Sequence, residues 1–272
     1  MDQRYERSRA EQLEFIEAGP PGGAGGRPVL FVHGAFAGAW CWSEHFLPYF
    51  AERGLRACAL SLRGHGNSPG RERLAWHSIG DYVEDLQQAV ERVGGEAILV
   101  GHSMGGFVVQ KYLERAAAPA VVLMAPVPPQ GLLPASLMLA LASPGLFADI
   151  NAMLQRGHPK FETIRHTLFA GPVSLDALRA YSRLLQPESQ RAIWDMSLFD
   201  LPQLWCVRRP PLLVLGAERD MLVPQAQVEL AARFYSTQAE MFSGMGHMMM
   251  LEAGWQKSAD RIIEWVEGLQ LA

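Results

Sequence analysis

Cysteine is scarce: Cys41, Cys58 and Cys206 are the only three in 272 residues. An odd number at wide spacing excludes a disulfide framework. Without a Cys-x-x-Cys pair or a His-Glu-x-x-His pattern, no zinc or other metal is called for and no cofactor is expected. Free thiols point to a reducing, cytoplasmic setting. Dense basic runs are missing too. The formal net charge is −4, and no stretch is basic enough to track a phosphate backbone, so nucleic acid is not an expected partner. No apolar run approaches the roughly 20 residues that span a membrane, so no membrane insertion is expected. Asp2, Arg4, Glu6, Arg7, Arg9 and Glu11 interrupt any signal-peptide core near the start. There is no internal repeat. The glycine-rich tract Pro20–Gly26 lacks Gly-Lys-Ser/Thr and leads into a strand, so it reads as a hairpin connection rather than a phosphate loop.

What is present suits a large core, since 49% of residues are hydrophobic. Up to about Pro126 strand-like and helix-like segments alternate, with amphipathic stretches near Trp42–Glu52 and Tyr82–Val93. Such alternation implies a mostly parallel sheet covered on both faces. From Val127 to about Val207 it stops, and helix-like runs follow Pro128-Pro129 and Pro134 without a clear buried strand. The alternation resumes at Arg209-Pro210-Pro211 and closes with a helix near Trp255–Leu269. Residues 1–126 and 208–272 are therefore expected to form an α/β core. Residues 127–207 are expected to form a helical cap over the sheet's carboxyl edge.

The run Ile98-Leu99-Val100-Gly101-His102-Ser103-Met104-Gly105-Gly106 carries the chemistry. A strand entering a helix through Gly-x-Ser-x-Gly holds the serine in a strained turn with its hydroxyl projecting from the sheet. Serine needs a base within hydrogen-bond reach, and the base needs a third group to fix its tautomer. Asp220 follows the strand-like Pro211–Gly216, and His247 lies on the loop Gly244–His247 after the short strand Gln238–Phe242; a helix over Gln225–Phe234 separates them. Glu218 is the nearest competing carboxylate and reads as solvated. No Asp or Glu lies between Glu114 and Asp149, so the strand Val121–Met124 offers no alternative acid. His102 sits beside the nucleophile and cannot point as a base must, while His65, His77, His158 and His166 read as surface or structural. An oxyanion needs two donors: the N–H of Met104, and that of Ala35 in the loop after the strand Pro28–Val32, with Phe36 as the neighbouring possibility. His33 braces that loop.

These pieces resemble the α/β-hydrolase superfamily over most of the chain. They are His33-Gly34-Ala35, Arg63-Gly64-His65-Gly66-Asn67-Ser68, Gly101–Gly106, Gly216–Asp220 and Gly246-His247, with the triad in the family's order Ser, Asp, His. The Arg-Gly-His-Gly turn follows Ser61-Leu62 where the family commonly carries Asp. Gly38-Ala39-Trp40-Cys41-Trp42 and His247–Leu251 resemble the plant methylesterase and hydroxynitrile-lyase branch. The lyases of that branch carry Lys after the catalytic His and Thr in the oxyanion loop; here these are Met248 and Gly34. Epoxide hydrolases and haloalkane dehalogenases need a carboxylate nucleophile, and position 103 is serine. The resemblance implies an α/β-hydrolase fold, a mostly parallel central sheet flanked by helices with an inserted cap. It implies a carboxylesterase acting through Ser103, Asp220 and His247; the apolar runs of the middle segment and the methionines beside these residues lead us to expect small to medium apolar esters. The same triad also serves lyases and carbon–carbon bond hydrolases, and the scaffold serves non-catalytic receptors. Leu132-Leu133, Leu137-Met138-Leu139, Leu146-Phe147 and Met153-Leu154 read mostly as packing between cap and core. Phe36, Met221, Met248, Trp194 and Phe199 are the candidates for lining a substrate pocket.

Overall fold

A computed structural model describes residues 12–20, 26–156, 161–203 and 205–269, and excludes the side chains of 153–156. His158 and the side chains of Met153 and Leu154 thus lie outside the described residues. Seven strands form one sheet in the order β1-β3-β2-β4-β5-β6-β7. They are β1 Phe15–Ala18, β2 Val29–Val32, β3 Ala57–Leu60, β4 Ile98–His102, β5 Val121–Met124, β6 Leu212–Ala217 and β7 Ala239–Phe242. Only β1 runs antiparallel, against β3; the other neighbours are parallel. The continuous apolar runs of β2, β4 and β5 are buried throughout, as strands covered on both faces require.

Alternation along β2 sorts the core into two layers. Val29 and Phe31 pack with Trp42, Phe46 and Phe50 from α1 (Trp40–Ser43) and α2 (Phe46–Glu52), and with Ile262 and Ile263 of α11 (Trp255–Gly268). The Phe31 ring lies 4.8 Å from Trp42 and meets Phe50 edge-on at 5.1 Å. Leu30 and Val32 face Tyr82 and Leu86 of α3 (Ile79–Arg92), Phe107 of α4 (Met104–Tyr112) and Val228 of α10 (Gln225–Phe234). Helix α3 starts on a capping box: Ser78 Oγ accepts from Asp81 N–H, and Asp81 Oδ2 accepts from Ser78 N–H.

The expected hairpin connection Pro20–Gly26 lies mostly outside the described residues; β3 sits between β1 and β2 in the sheet, so those two strands are not paired as a hairpin. The edge strand gains its ladder from β3 instead.

Between β5 and β6 the described residues form α5 Leu133–Ala142, α6 Pro144–Arg156, α7 Phe161–Leu168, α8 Leu175–Leu184, α9 Gln190–Trp194 and a π turn over Asp195–Phe199. They add no strand. Ile164, Leu168, Leu178 and Tyr181 join one core layer, and Ala192 and Met196 the other. Helix α5 behaves otherwise than expected. It is uncharged, yet none of its residues is buried, and Leu137 and Met138 are 61% and 67% exposed. It pairs with α6, while both sheet faces are already covered by other helices.

Candidate active site

Ser103 stands between β4 and α4 at φ 52°, ψ −116°. For a non-glycine residue this left-handed backbone costs about 1–3 kcal/mol. The surroundings enforce it: Ser103 N–H donates to Met124 O at 3.0 Å, and its carbonyl accepts from Phe107 and Val127 N–H at 3.2 Å. The turn is too tight for a side chain at Gly101, where a Cβ would lie 2.6 Å from the Gly105 carbonyl oxygen.

Asp220 and His247 come from the loops after β6 and β7, and both are buried. His247 Nδ1 donates to Asp220 Oδ2 at 2.7 Å. Asp220 Oδ1 accepts from Leu222 and Val223 N–H, each at 2.8 Å, so the carboxylate is held at both oxygens. Glu218 lies elsewhere, accepting from Ser243 Oγ and Gly244 N–H in an exposed turn; these bonds hold its carboxyl below the usual range.

The His247 loop is fixed from two further sides that local sequence does not reveal. His102 Nε2 donates to the His247 carbonyl at 2.9 Å, with the two rings 4.7 Å apart. Burial, then the neighbouring His247, pushes the His102 pKa well below its ordinary value, so it serves as a neutral donor. Glu252 Oε1 accepts from Gly246 N–H at 2.8 Å and from Ala170 N–H at 2.6 Å, joining this loop to the stretch after α7. Among the described residues no hydrogen bond joins Ser103 Oγ to the imidazole. That contact commonly tightens only once substrate is bound.

The loop after β2 comes against the nucleophile. A Cβ on Gly34 would lie 2.8 Å from His102 Nδ1 and 3.0 Å from Ser103 Cβ. His33 is fully buried; its Nδ1 donates to Gly34 O at 2.8 Å and its Nε2 accepts from Leu62 N–H at 3.0 Å. Burial and the nearby His65 lower its pKa to about 3, which matches the neutral tautomer those bonds demand. Phe36 N–H is taken up by Glu188 Oε2 at 3.2 Å. The N–H groups of Ala35 and Met104 have no acceptor among the described residues.

The pocket candidates divide. Phe36 is half-buried, and Met221, beside Asp220, is 46% exposed. Met248 is buried in one core layer with Met245, Met249 and Met250. Trp194 and Phe199 are 59% and 67% exposed and lie against each other with ring centres 6.2 Å apart. Ala192 and Met196 take the buried positions of that stretch.

The seven-stranded sheet, the strained serine turn and the loops gathered at the strands' carboxyl ends define an α/β-hydrolase scaffold. Residues 29–261 match the model of the alpha/beta hydrolase family, and the chain belongs to that family. A probable esterase of Oryza sativa subsp. indica is 37% identical over 112 residues, 39% of this chain and 42% of the rice protein. Methyl jasmonate esterase 1 of Vitis vinifera is 36% identical over 91 residues, 33% of this chain and 34% of its own. The matches therefore span about two fifths or less of those relatives' length. An esterase from Exiguobacterium antarcticum superposes with a TM-score of 0.73 at 18% identity, covering 94% of this chain and 96% of its own.

Proposed function

We propose that the protein is a serine carboxylesterase. The buried hydrogen bond from His247 to Asp220, brought to the sheet edge that carries Ser103, is the observation on which this reading rests. Ser103 Oγ attacks the ester carbonyl while its proton passes to His247 Nε2. Asp220 fixes the Nδ1–H tautomer and stabilises the imidazolium. The negative charge on the former carbonyl oxygen is met by the N–H groups of Ala35 and Met104, both free of other acceptors. Collapse expels the alcohol, which takes the proton from His247. Water, deprotonated by the same imidazole, then releases the acid and restores the serine.

Residues 127–207 act in this reading as the cap, and their apolar content favours small to medium apolar substrates. The esterase names of the partial relatives support the same reaction class. Three unpaired cysteines fit a reducing, cytoplasmic setting. Hydrolysis of p-nitrophenyl esters from acetate to palmitate, by the parent and by Ser103→Ala, tests the proposal. Turnover with an optimum at short or medium chains, lost in the variant, is expected. A folded parent inactive on every ester would overturn it.

A further inference from the structure

Glu188 lies between α8 and α9, far in sequence from the triad, with its side chain fully buried. Four donors meet its two oxygens. Oε2 accepts from Phe36 N–H at 3.2 Å and His65 Nε2 at 3.0 Å, while Oε1 accepts from Tyr82 O–H at 3.0 Å and Ser189 N–H at 2.6 Å. The oxyanion loop, the turn after β3, helix α3 and the start of α9 thus converge on one carboxylate. Burial opposes its charge, but the attraction and hydrogen bond of His65, with the bonds from Ser189 and Tyr82, outweigh burial and keep its pKa below the usual range.

The contact with Phe36 falls where the loop most needs support. Phe36 is left-handed at φ 65°, a conformation that a bulky residue keeps only when its surroundings impose it. Its N–H is held by Glu188, and its carbonyl accepts from Gln186 N–H at 3.0 Å. Gln186 is itself anchored, its side chain donating to Gly64 O and accepting from Gly66 N–H. One peptide earlier, Gly34 O accepts from His33, so the trans geometry of that unit turns Ala35 N–H the opposite way. Two consecutive peptides are thereby oriented, the first by His33 and the second by Glu188.

We propose that Glu188 is a positioning residue for the oxyanion donor, clamping the loop from the helical insertion so that Ala35 N–H faces the reacting carbonyl. This rests on the esterase reading above. Loss of the clamp lets the loop relax and weakens stabilisation of the transition state more than binding of the ester.

Glu188→Gln leaves one acceptor oxygen for the donors that two now serve. Tyr82→Phe removes one donor to the same carboxylate without touching Phe36, and serves as the structural control. With p-nitrophenyl butyrate, Glu188→Gln is expected to lower kcat about 100-fold, the scale of a lost oxyanion contact, with KM within about threefold. Tyr82→Phe should stay within about threefold of the parent in kcat, whatever its loss in Tm. Amide exchange over residues 34–38 should quicken in Glu188→Gln alone. The proposal is overturned by a near-parental kcat in Glu188→Gln, by losses in both variants that simply follow Tm, or by unchanged exchange at 34–38. Where Glu188→Gln does not fold, Glu188→Asp keeps the charge but withdraws it by one methylene. It should lose more than about threefold in kcat, and smaller losses overturn the proposal. A parent without turnover contradicts the esterase reading instead, and the exchange experiment still decides whether Glu188 holds the loop.

Discussion

The loop after β6 carries two acidic residues two positions apart, Glu218 and Asp220, and the fold gives them opposite surroundings. Asp220 is turned inward, bonded to two backbone N–H groups and to His247, whereas Glu218 ties an exposed turn. Asp220→Asn should therefore lower kcat by roughly 10³–10⁴ with little change in Tm, because the amide disturbs the tautomer of the base. Glu218→Gln should stay within about twofold, as expected away from buried partners. Steady-state kinetics beside thermal melts of both variants decide the matter; the reverse ranking would assign the acid to Glu218. Placements tied to a local pattern were legible in sequence: Ser103 in the turn between β4 and α4, and Asp220 and His247 on the loops after β6 and β7. His102, Glu188 and Glu252 were not. Their partners lie 145, 152 and 82 positions away at His247, Phe36 and Ala170. Pro187-Glu188-Ser189 also has the look of a solvated helix start.

At the scale of elements, segments with strong periodicity or punctuation were read closely. β5 occupies Val121–Met124 and α10 occupies Gln225–Phe234, as their apolar run and flanking Pro224 suggest. Pairing was harder. β1 joins the sheet beside β3 rather than β2, a choice made by long-range contacts rather than by the glycine-rich tract that precedes β2. Helix α5 marks a second limit. Its apolar sequence indicates burial, but position relative to the core decides exposure, and among the described residues it is the later helices between β5 and β6 that reach the core layers.

At the scale of the whole molecule, buried imidazoles couple stability to pH. His33 falls from 6.5 to about 3 on folding, mainly through burial, and His102 is shifted the same way. Between those values the unfolded chain binds more protons than the folded one, so stability falls as pH falls below about 6.5. Glu188, held low, adds to the loss once pH drops below 4.5 and through its folded pKa. Asp85, raised by burial, works in the opposite direction. Urea unfolding from pH 7.5 to 4.5 should show a decline approaching about 1 kcal/mol per pH unit for each buried neutral histidine. His33→Gln should flatten that slope. A pH-independent midpoint across this range would contradict the assignment of these imidazoles as neutral.

In the proposed mechanism Ser103 forms a covalent bond to the acyl group. Acid quenching of the protein during turnover of p-nitrophenyl butyrate, followed by peptide mass mapping, tests it directly. A single butyryl group on the peptide carrying Ser103, absent in Ser103→Ala, is the predicted result. Acylation at another residue, or continued ester turnover by Ser103→Ala, would contradict the account.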